Sequence, residues 1–185
     1  MPATSTSASP RVSTGVPELD TILGGGLTGN RSYLLEGTPG SGKTTIALQF
    51  LLQGLKKGER CLYITLSETE RELRQGAQSH GWQLDHNIHI FELTPPESLL
   101  NAEHQQSLLY SSDLELGEAT RQIFDVVERV KPTRVVLDSL SEIRLLAQSS
   151  LRYRRQILAI KQYFVRYDAT VLLLDDLTTE SNDKT

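Results

Sequence analysis

The fold is decided by one stretch of eight residues, Gly37-Thr38-Pro39-Gly40-Ser41-Gly42-Lys43-Thr44. It follows the apolar run Tyr33-Leu34-Leu35 and leads directly into a segment with an apolar helical face. Glycines allow backbone N–H groups to turn inward around an anion, and the first turn of a helix adds the positive end of its dipole. This order of strand, glycine-rich loop and helix is that of a phosphate-binding P-loop.

Two side chains of the loop have chemistry suited to a bound nucleotide. Lys43 supplies a positive charge for the β- and γ-phosphates, and the hydroxyl of Thr44 can bind Mg²⁺. An ordinary glycine-rich turn is the alternative, but average residue usage makes a chance match rare, in roughly one per cent of chains this long. The sequence therefore predicts that residues 37–45, including Thr45, bind ATP with Mg²⁺.

Outward from this loop, short apolar runs alternate with segments of helical periodicity. The alternation predicts an α/β fold, with a mostly parallel sheet and helices on both faces. We predict strands at Ser32–Glu36, Arg60–Leu66, Ile88–Leu93, Arg134–Asp138 and Thr170–Asp175. We predict helices from the loop to Gly58 and at Glu70–Ser79, Gly117–Val130 and Leu151–Tyr167. The segment Thr94–Leu116 predicts a long irregular connection, with or without a short helix.

Acidic residues follow three of the predicted strands. The carboxyl ends of parallel strands meet at one edge of a sheet, and ligands bind there. Asp138 ends an apolar strand, so we predict that it lies beside the P-loop and binds Mg²⁺; a cap for the next turn is the alternative. Glu68 is either the residue that orients the attacking water or a favourable acid at a helix start. Asp175 and Asp176 either sense phosphate or magnesium through water or form a solvated strand end.

Length and composition favour one domain. The 185 residues are 38% hydrophobic, which is enough for one sizeable core. We expect a Ser/Thr/Ala-rich disordered leader at residues 1–10 and the domain at residues 11–185. No apolar run reaches the roughly 20 residues of a membrane span, and no secretory signal begins the chain. We expect a cytoplasmic protein in which the single cysteine, Cys61, packs in the core.

The charge balance disfavours anionic partners. With 19 basic and 23 acidic residues, the chain has a formal charge of −4. No global positive field attracts nucleic acid or anionic lipid, so we expect neither nucleic acid nor a membrane as a partner. Arg152, Arg154 and Arg155 form the one dense basic cluster. They either contact a protein or nucleic acid or form a solvated helix face. We expect the end of the predicted helix Leu151–Tyr167 that contains these arginines to lie far from the sheet edge at which the P-loop binds phosphate.

Several further segments accompany the glycine-rich loop, and together they resemble the KaiC family of RecA-type ATPases. They are Ser13–Asp20, Leu23–Leu27, Thr45–Leu52, His80–Leu84 and Arg134–Ser139. They stand in the order in which the family has them, and the resemblance extends from about Arg11 to the end of the chain. The combination is more specific than any single motif.

The resemblance implies a RecA-like sheet in which the strand ending at Asp175 lies between the P-loop strand and the Asp138 strand. It also implies homo-oligomeric rings or filaments, with ATP held between subunits. By position, Lys43 and Thr44 are the Walker A pair, Asp138 is the Walker B carboxylate, and Glu68 is the catalytic glutamate.

The sequence departs from the family pattern twice. The family commonly has two glutamates in tandem after the second strand, and the first of them is Ser67 here. The family domain usually continues for several strands beyond the segment that matches Asp175, so we expect a fold that is incomplete at its C-terminal end. A fragment and a short family member both remain open.

Three functions are compatible with these observations. The first is a slow, regulatory or signalling ATPase that assembles through nucleotide-bridged subunit interfaces. The second is a nucleotide-binding regulatory module with little turnover. The third is a DNA-acting relative of RadA-type recombinases. The acidic balance disfavours the third, as does the segment Ser139–Ser150, where a DNA-binding loop would lie and where Arg144 is the one basic residue.

Overall fold

The computed structural model describes residues 10–84, 87–93 and 108–177. Most of the predicted leader, the predicted connection up to residue 107 and the polar end of the chain lie outside these ranges. The strands are β1 (Arg11–Val12), β2 (Leu27–Thr28), β3 (Ser32–Gly37), β4 (Cys61–Thr65), β5 (Ile88–Glu92), β6 (Arg134–Asp138) and β7 (Thr170–Asp176). The helices are α1 (Pro17–Ile22), α2 (Lys43–Lys56), α3 (Glu70–Ser79), α4 (Leu108–Val130), α5 (Leu140–Ala147) and α6 (Ser150–Arg166).

Five strands form a parallel sheet in the order β3-β7-β6-β4-β5. The predicted strands are confirmed, and so is the place of β7 between the P-loop strand and the Asp138 strand. The remaining two strands, β1 and β2, pair antiparallel as a separate short ribbon. Because these strands run parallel to one another, the carboxyl ends of β3, β4, β6 and β7 lie at one edge of the sheet.

Helices cover both faces of this sheet. One face packs under α2 and α3, through a buried cluster that includes Phe50, Leu51 and Leu73. The other packs under α4, α5 and α6, through a cluster that includes Ile123, Ile143 and Phe164. The central strands β4 and β6 are buried at every residue, which explains their continuous apolar runs. Cys61 is buried, as predicted, and its burial raises the pKa of the thiol to about 12.

Three helices differ from the sequence prediction. Helix α4 begins at Leu108 rather than at Gly117, so the end of the predicted irregular connection is helical. Gly117 is an interior residue of this helix. Glycine destabilises a helix by about 1 kcal/mol relative to alanine, which does not end a helix that continues on both sides. Helices α1 and α5 had no predicted counterparts, because their six and eight residues are too few to show a clear period. No helix among the described residues is long and apolar enough to span a membrane.

A fully buried arginine closes the amino end of β6. The guanidinium of Arg134 pairs with both carboxylate oxygens of Glu59, at 2.6 and 3.0 Å. It also donates to the backbone oxygens of Ser13 and Phe50, at 2.7 and 2.8 Å, and lies 4.8 Å from the centre of the Phe50 ring. These contacts join the loop before α1, the middle of α2 and the segment after α2 to the sheet.

Candidate phosphate-binding site

The glycine-rich loop connects the carboxyl end of β3 to the first turn of α2. Gly40 and Gly42 have backbone φ angles of 78° and 90°, which residues other than glycine rarely adopt. Gly37 lies so close to Ser41 that a Cβ atom there would meet the Ser41 hydroxyl. The three glycines therefore hold a tight loop around the start of α2.

The first turn of α2 is open to an anion. Its N-cap residue is Gly42, which has no side chain to accept from the first amides of the helix. By contrast, the N-cap residues of α3, α5 and α6 are Thr69, Ser139 and Ser149, and in each case the side-chain oxygen accepts from a backbone N–H. The first-turn amides of α2 therefore remain available as donors, and the helix dipole favours negative charge beside them.

In this structure the ammonium group of Lys43 is held by oxygen atoms of the loop and of β7. It donates to the backbone oxygens of Gly37 and Thr38, at 2.8 and 3.0 Å. It also forms an ion pair with a carboxylate oxygen of Asp176 at 2.8 Å. The predicted P-loop lysine thus lies at the phosphate edge with an acidic partner that a phosphate would have to replace.

The carboxylate of Asp138 lies on the same side of the sheet as α2. It accepts a hydrogen bond of 2.5 Å from the hydroxyl of Tyr63, and that hydroxyl also contacts the Thr44 side chain. Tyr63 therefore joins the two residues that the sequence predicts to bind Mg²⁺. The sequence prediction missed Tyr63; the available signal was a phenol inside an otherwise apolar buried strand, where its O–H needs a partner.

Negative charge accumulates around Asp138. Burial raises the pKa of the Asp138 carboxyl, the Tyr63 hydrogen bond lowers it, and the charges of Glu142 and Asp176 raise it further. Lys43 is the cation that opposes this shift. The arrangement leaves a buried carboxylate whose surroundings favour the approach of another cation.

Glu68 lies half-buried beside Asp138. Burial raises its pKa, and the charges of Asp138 and Glu72 raise it further. The turn that places it is fixed by the Thr65 hydroxyl, which accepts from the Glu68 N–H and donates to the Glu68 carbonyl. The start of α3 is satisfied by a capping box between Thr69 and Glu72. The helix therefore does not need the Glu68 carboxylate as a cap.

Asp175 and Asp176 point to opposite faces of β7. Asp176 contacts Lys43 on the α2 side. Asp175 is buried on the α5 side, where it accepts from Ser141 at 2.7 Å and pairs with Arg144 at 2.5 Å. A solvated strand end, one of the two alternatives above, therefore does not describe Asp175. Ser141 also accepts from the Asp176 N–H.

The start of α6 lies near the carboxyl edge, contrary to our expectation for the basic cluster. Tyr153 contacts the guanidinium of Arg144, whose carbon atom lies 5.0 Å from the ring centre, and Arg144 in turn pairs with Asp175 at this edge. A helix that returns antiparallel to the strands starts at the edge where the preceding strand ended. Arg154 and Arg155 are nevertheless exposed on the outer side of α6.

Among the described residues, no three His, Cys, Asp or Glu side chains form a cluster that could hold a metal ion by themselves. A magnesium ion at a P-loop does not need such a cluster, because it takes one or two protein oxygens together with phosphates and water. The Thr44 hydroxyl and the Asp138 carboxylate are oxygen donors of that kind. They fit magnesium as a companion of a bound phosphate.

The P-loop class of α/β proteins is defined by a parallel sheet whose carboxyl edge has a glycine-rich loop, an open helix start and an acidic strand end next to that loop. Comparison with known proteins identifies the family within that class. The family model described as "ATPase: KaiC" matches residues 12–185. The chain belongs to the KaiC ATPase family.

Individual relatives agree with this assignment. The circadian clock protein KaiC3 of Synechocystis is 28% identical over 172 residues, which is 92% of this chain and 33% of that protein. A UPF0273 protein of Methanopyrus kandleri is 28% identical over 178 residues, 90% of this chain and 67% of that protein. The crystal structure of a KaiC-like protein from Pyrococcus horikoshii superimposes with a TM-score of 0.72 and 26% identity, covering 91% of this chain and 71% of that one.

The chain spans only part of these relatives. It covers a third of the length of KaiC3 and 64% of a second UPF0273 protein, from Pyrococcus horikoshii. The RecA-like fold and the family are thus established for this chain, and the activity of the longer proteins is a separate question.

Proposed function

We propose that this chain binds ATP with Mg²⁺ at the loop 37–45 and hydrolyses it slowly, in a regulatory or signalling role. The proposal rests on one observation. The open first turn of α2, the Lys43 ammonium and the Asp138 carboxylate lie together at the carboxyl edge of the sheet. A triphosphate needs amides, a fixed positive charge and a metal-binding carboxylate in that arrangement.

Each part of the loop has a distinct task in binding. The backbone from Gly37 to Gly42 surrounds the phosphates, and the first-turn amides around Thr44 and Thr45 donate to them. Lys43 exchanges its Asp176 partner for the β- and γ-phosphates, which are stronger acceptors because they carry more charge. Thr44 and Asp138 would hold the magnesium ion, which when bound neutralises phosphate charge.

Glu68 is the residue that we assign to the attacking water. It lies at the same edge, half-buried and beside Asp138. A carboxylate in this position can accept from the water and orient it toward the γ-phosphate. Its neighbour is Ser67, so a single glutamate acts where the family pattern has two, which agrees with slow turnover.

A regulatory role and assembly into oligomers are supported by the family. Relatives in this family bear the name circadian clock protein, including KaiC3. We propose that nucleotide lies between subunits of a homo-oligomer, as the resemblance implies. Size measurement by light scattering with and without Mg-ATP tests this part: a mass that is independent of nucleotide contradicts it.

A specific observation favours a second candidate, a nucleotide-binding module with very little turnover. Phosphoryl transfer usually recruits a further cation, worth about 10³ to 10⁵ in rate. Arg144 reaches the same edge but pairs with Asp175 on the opposite face of β7. An assay of ATP turnover separates this module from the slow ATPase, since the module should show almost no hydrolysis. The same assay with DNA tests the third function, because stimulation by DNA would support a recombinase-like function.

The first test of binding is calorimetric titration with Mg-ATP. We expect the parent chain to bind Mg-ATP and the variant Lys43→Ala to show no detectable binding, because the Lys43 side chain contacts the ligand in the complex. Lys56→Ala is the matched control, since Lys56 is exposed in the last turn of the same helix. Equal affinities in folded Lys43→Ala and in the control would refute nucleotide binding at this loop.

A further inference from the structure

Helix α6 has three exposed aliphatic side chains on its outer side. Leu151, Leu158 and Val165 are 61%, 57% and 60% exposed. They are spaced seven residues apart, and seven residues make almost two full helical turns of about 3.6 residues each. The three side chains therefore lie above one another along the helix, and we call them the α6 stripe.

The α6 stripe is not part of the core. The opposite side of the same helix packs on the sheet through Ile160 and Phe164, which are buried. The helix is thus apolar on two sides, and its own domain covers only one of them. A spacing of seven residues is the period at which one helix presents side chains to a second helix.

Positive charge borders the α6 stripe on both sides. At 100° per residue, Arg154 and Lys161 lie on one flank of Leu158, and Arg155 and Arg166 lie on the other. All four are exposed, and within the described residues none of the four forms an ion pair. Helix α6 contains no acidic residue, although the chain as a whole is acidic.

We propose that the α6 stripe is a docking surface for an acidic amphipathic helix of a partner protein. Aliphatic side chains of such a helix would pack between Leu151, Leu158 and Val165 and remove them from water. Glutamate or aspartate beside them would meet the flanking arginines and lysine, as at the e and g positions of a coiled coil. A partner helix of about 21 Å, or four turns, would cover the stripe.

Other occupants fit the surface less well. A second copy of α6 would place arginine against arginine, which costs energy in a close contact. Nucleic acid would leave three aliphatic side chains against phosphates. A bilayer surface would receive no exposed aromatic anchor from this helix, since Tyr153, Tyr163 and Phe164 are on its packed side, and the net charge of −4 opposes anionic lipid.

The test uses a designed peptide as the probe. It has about 21 residues in three heptads, with leucine at a and d and glutamate at e and g, so that its own charges prevent self-pairing. We expect the 185-residue chain to bind this peptide at least about tenfold more tightly than the same peptide with lysine at e and g. Equal binding of the two peptides, or binding of neither, would overturn the proposal.

Variants locate the binding surface. Leu158→Gln and the double change Arg154→Glu with Arg155→Glu should each weaken peptide binding at least about fivefold. Ile22→Gln is the matched control, because Ile22 is 81% exposed on α1, and it should bind as the parent does. Unchanged thermal melting shows that the variants are folded. If Ile22→Gln weakens binding as much as Leu158→Gln, the surface is not the α6 stripe.

The alternative occupants are tested with the same variants. Self-association that is abolished by Leu158→Gln would show a second copy on the stripe. Binding to phosphatidylserine vesicles or to DNA that is lost in Arg154→Glu with Arg155→Glu, without preferential binding of the glutamate peptide, would show a lipid or nucleic-acid surface. Each of these results would replace the proposed partner.

Discussion

Strand β6 has a buried charged residue at each end, Arg134 at its amino end and Asp138 at its carboxyl end. Arg134 is surrounded by acceptors: two carboxylate oxygens of Glu59, two backbone oxygens and the face of Phe50. Asp138 has the Tyr63 hydroxyl as its hydrogen-bond donor and lies near the negative charges of Glu142 and Asp176.

We infer that the difference separates a structural charge from one that serves the proposed function. A buried charge is tolerated when fixed partners meet most of its hydrogen-bonding capacity, and Arg134 meets that condition with four hydrogen bonds. Asp138 does not, since its neighbours add negative charge that Lys43 only partly offsets. Charge repulsion therefore does not destabilise the fold at Arg134. It does so at Asp138, where a metal ion with phosphate would complete the neutralisation.

The largest expected effect is on stability at the amino end. Arg134→Met should lower the free energy of unfolding by about 3 kcal/mol, the low end for breaking a buried pair, because Glu59 is partly exposed and can remain hydrated. Urea denaturation measures it. The control Arg121→Met breaks an exposed pair with Glu118 and should cost far less, because water screens exposed pairs. Similar losses in the two variants would contradict the structural role of Arg134.

The corresponding change at the carboxyl end should behave in the opposite way. Asp138→Asn removes a charge from an acidic environment and retains an oxygen for the Tyr63 hydroxyl, so the unfolding free energy should stay within about 1 kcal/mol or rise. The magnesium concentration required for ATP binding should increase at least about tenfold. A large loss of stability with unchanged magnesium dependence would mean that Asp138 is the structural charge.

A change at Glu68 should separate nucleotide binding from turnover. Glu68→Gln should keep Mg-ATP affinity within a few-fold and reduce hydrolysis by at least about tenfold, since the amide no longer accepts the proton of the attacking water. Glu72→Gln is the control, because Glu72 belongs to the capping box of α3. If Glu68→Gln hydrolyses ATP at the parent rate, Glu68 has another role.

Much of the fold could be predicted because the periodic signals were strong. The strands β4 and β6 have continuous apolar runs at their centres, and the loop 37–44 fixes the strand before it and the helix after it. The length of α4 and the presence of α5 could not be predicted in the same way, because a glycine and a short element weaken the periodic pattern. The order of the strands came from the resemblance, since periodicity alone contains no pairing information.

The site was predictable at its strand ends and not in its side-chain contacts. The positions of Lys43 and Asp138 at one edge follow from a parallel sheet. The partners Tyr63, Ser141 and Arg144 depend on which residues face each other across strands and helices, which one sequence does not specify. The face to which each of two adjacent acids points depends on the register of β7, so the different roles of Asp175 and Asp176 required the structure.

The smallest expected effect concerns the competitor of the phosphates. Asp176 is 36% exposed at its side chain and pairs with Lys43 at 2.8 Å. Phosphate must displace it. Because Asp176 is partly exposed although Lys43 is largely buried, we expect this ion pair to be worth about 1 kcal/mol, the upper end for exposed pairs. Asp176→Asn should therefore raise ATP affinity between about two- and tenfold, because it removes both the competing partner and a negative charge near the phosphates.

Two comparisons make this last prediction specific. Asp175→Asn changes the adjacent acid on the other face of β7, where its partners are Ser141 and Arg144, so affinity measured on the folded variant should not rise. Removal of magnesium by EDTA should enlarge the gain of Asp176→Asn, since phosphate charge is then unscreened and the lost repulsion is greater. If Asp176→Asn instead weakens Mg-ATP binding while leaving magnesium-free ATP unchanged, Asp176 assists the metal ion through water and does not compete for Lys43.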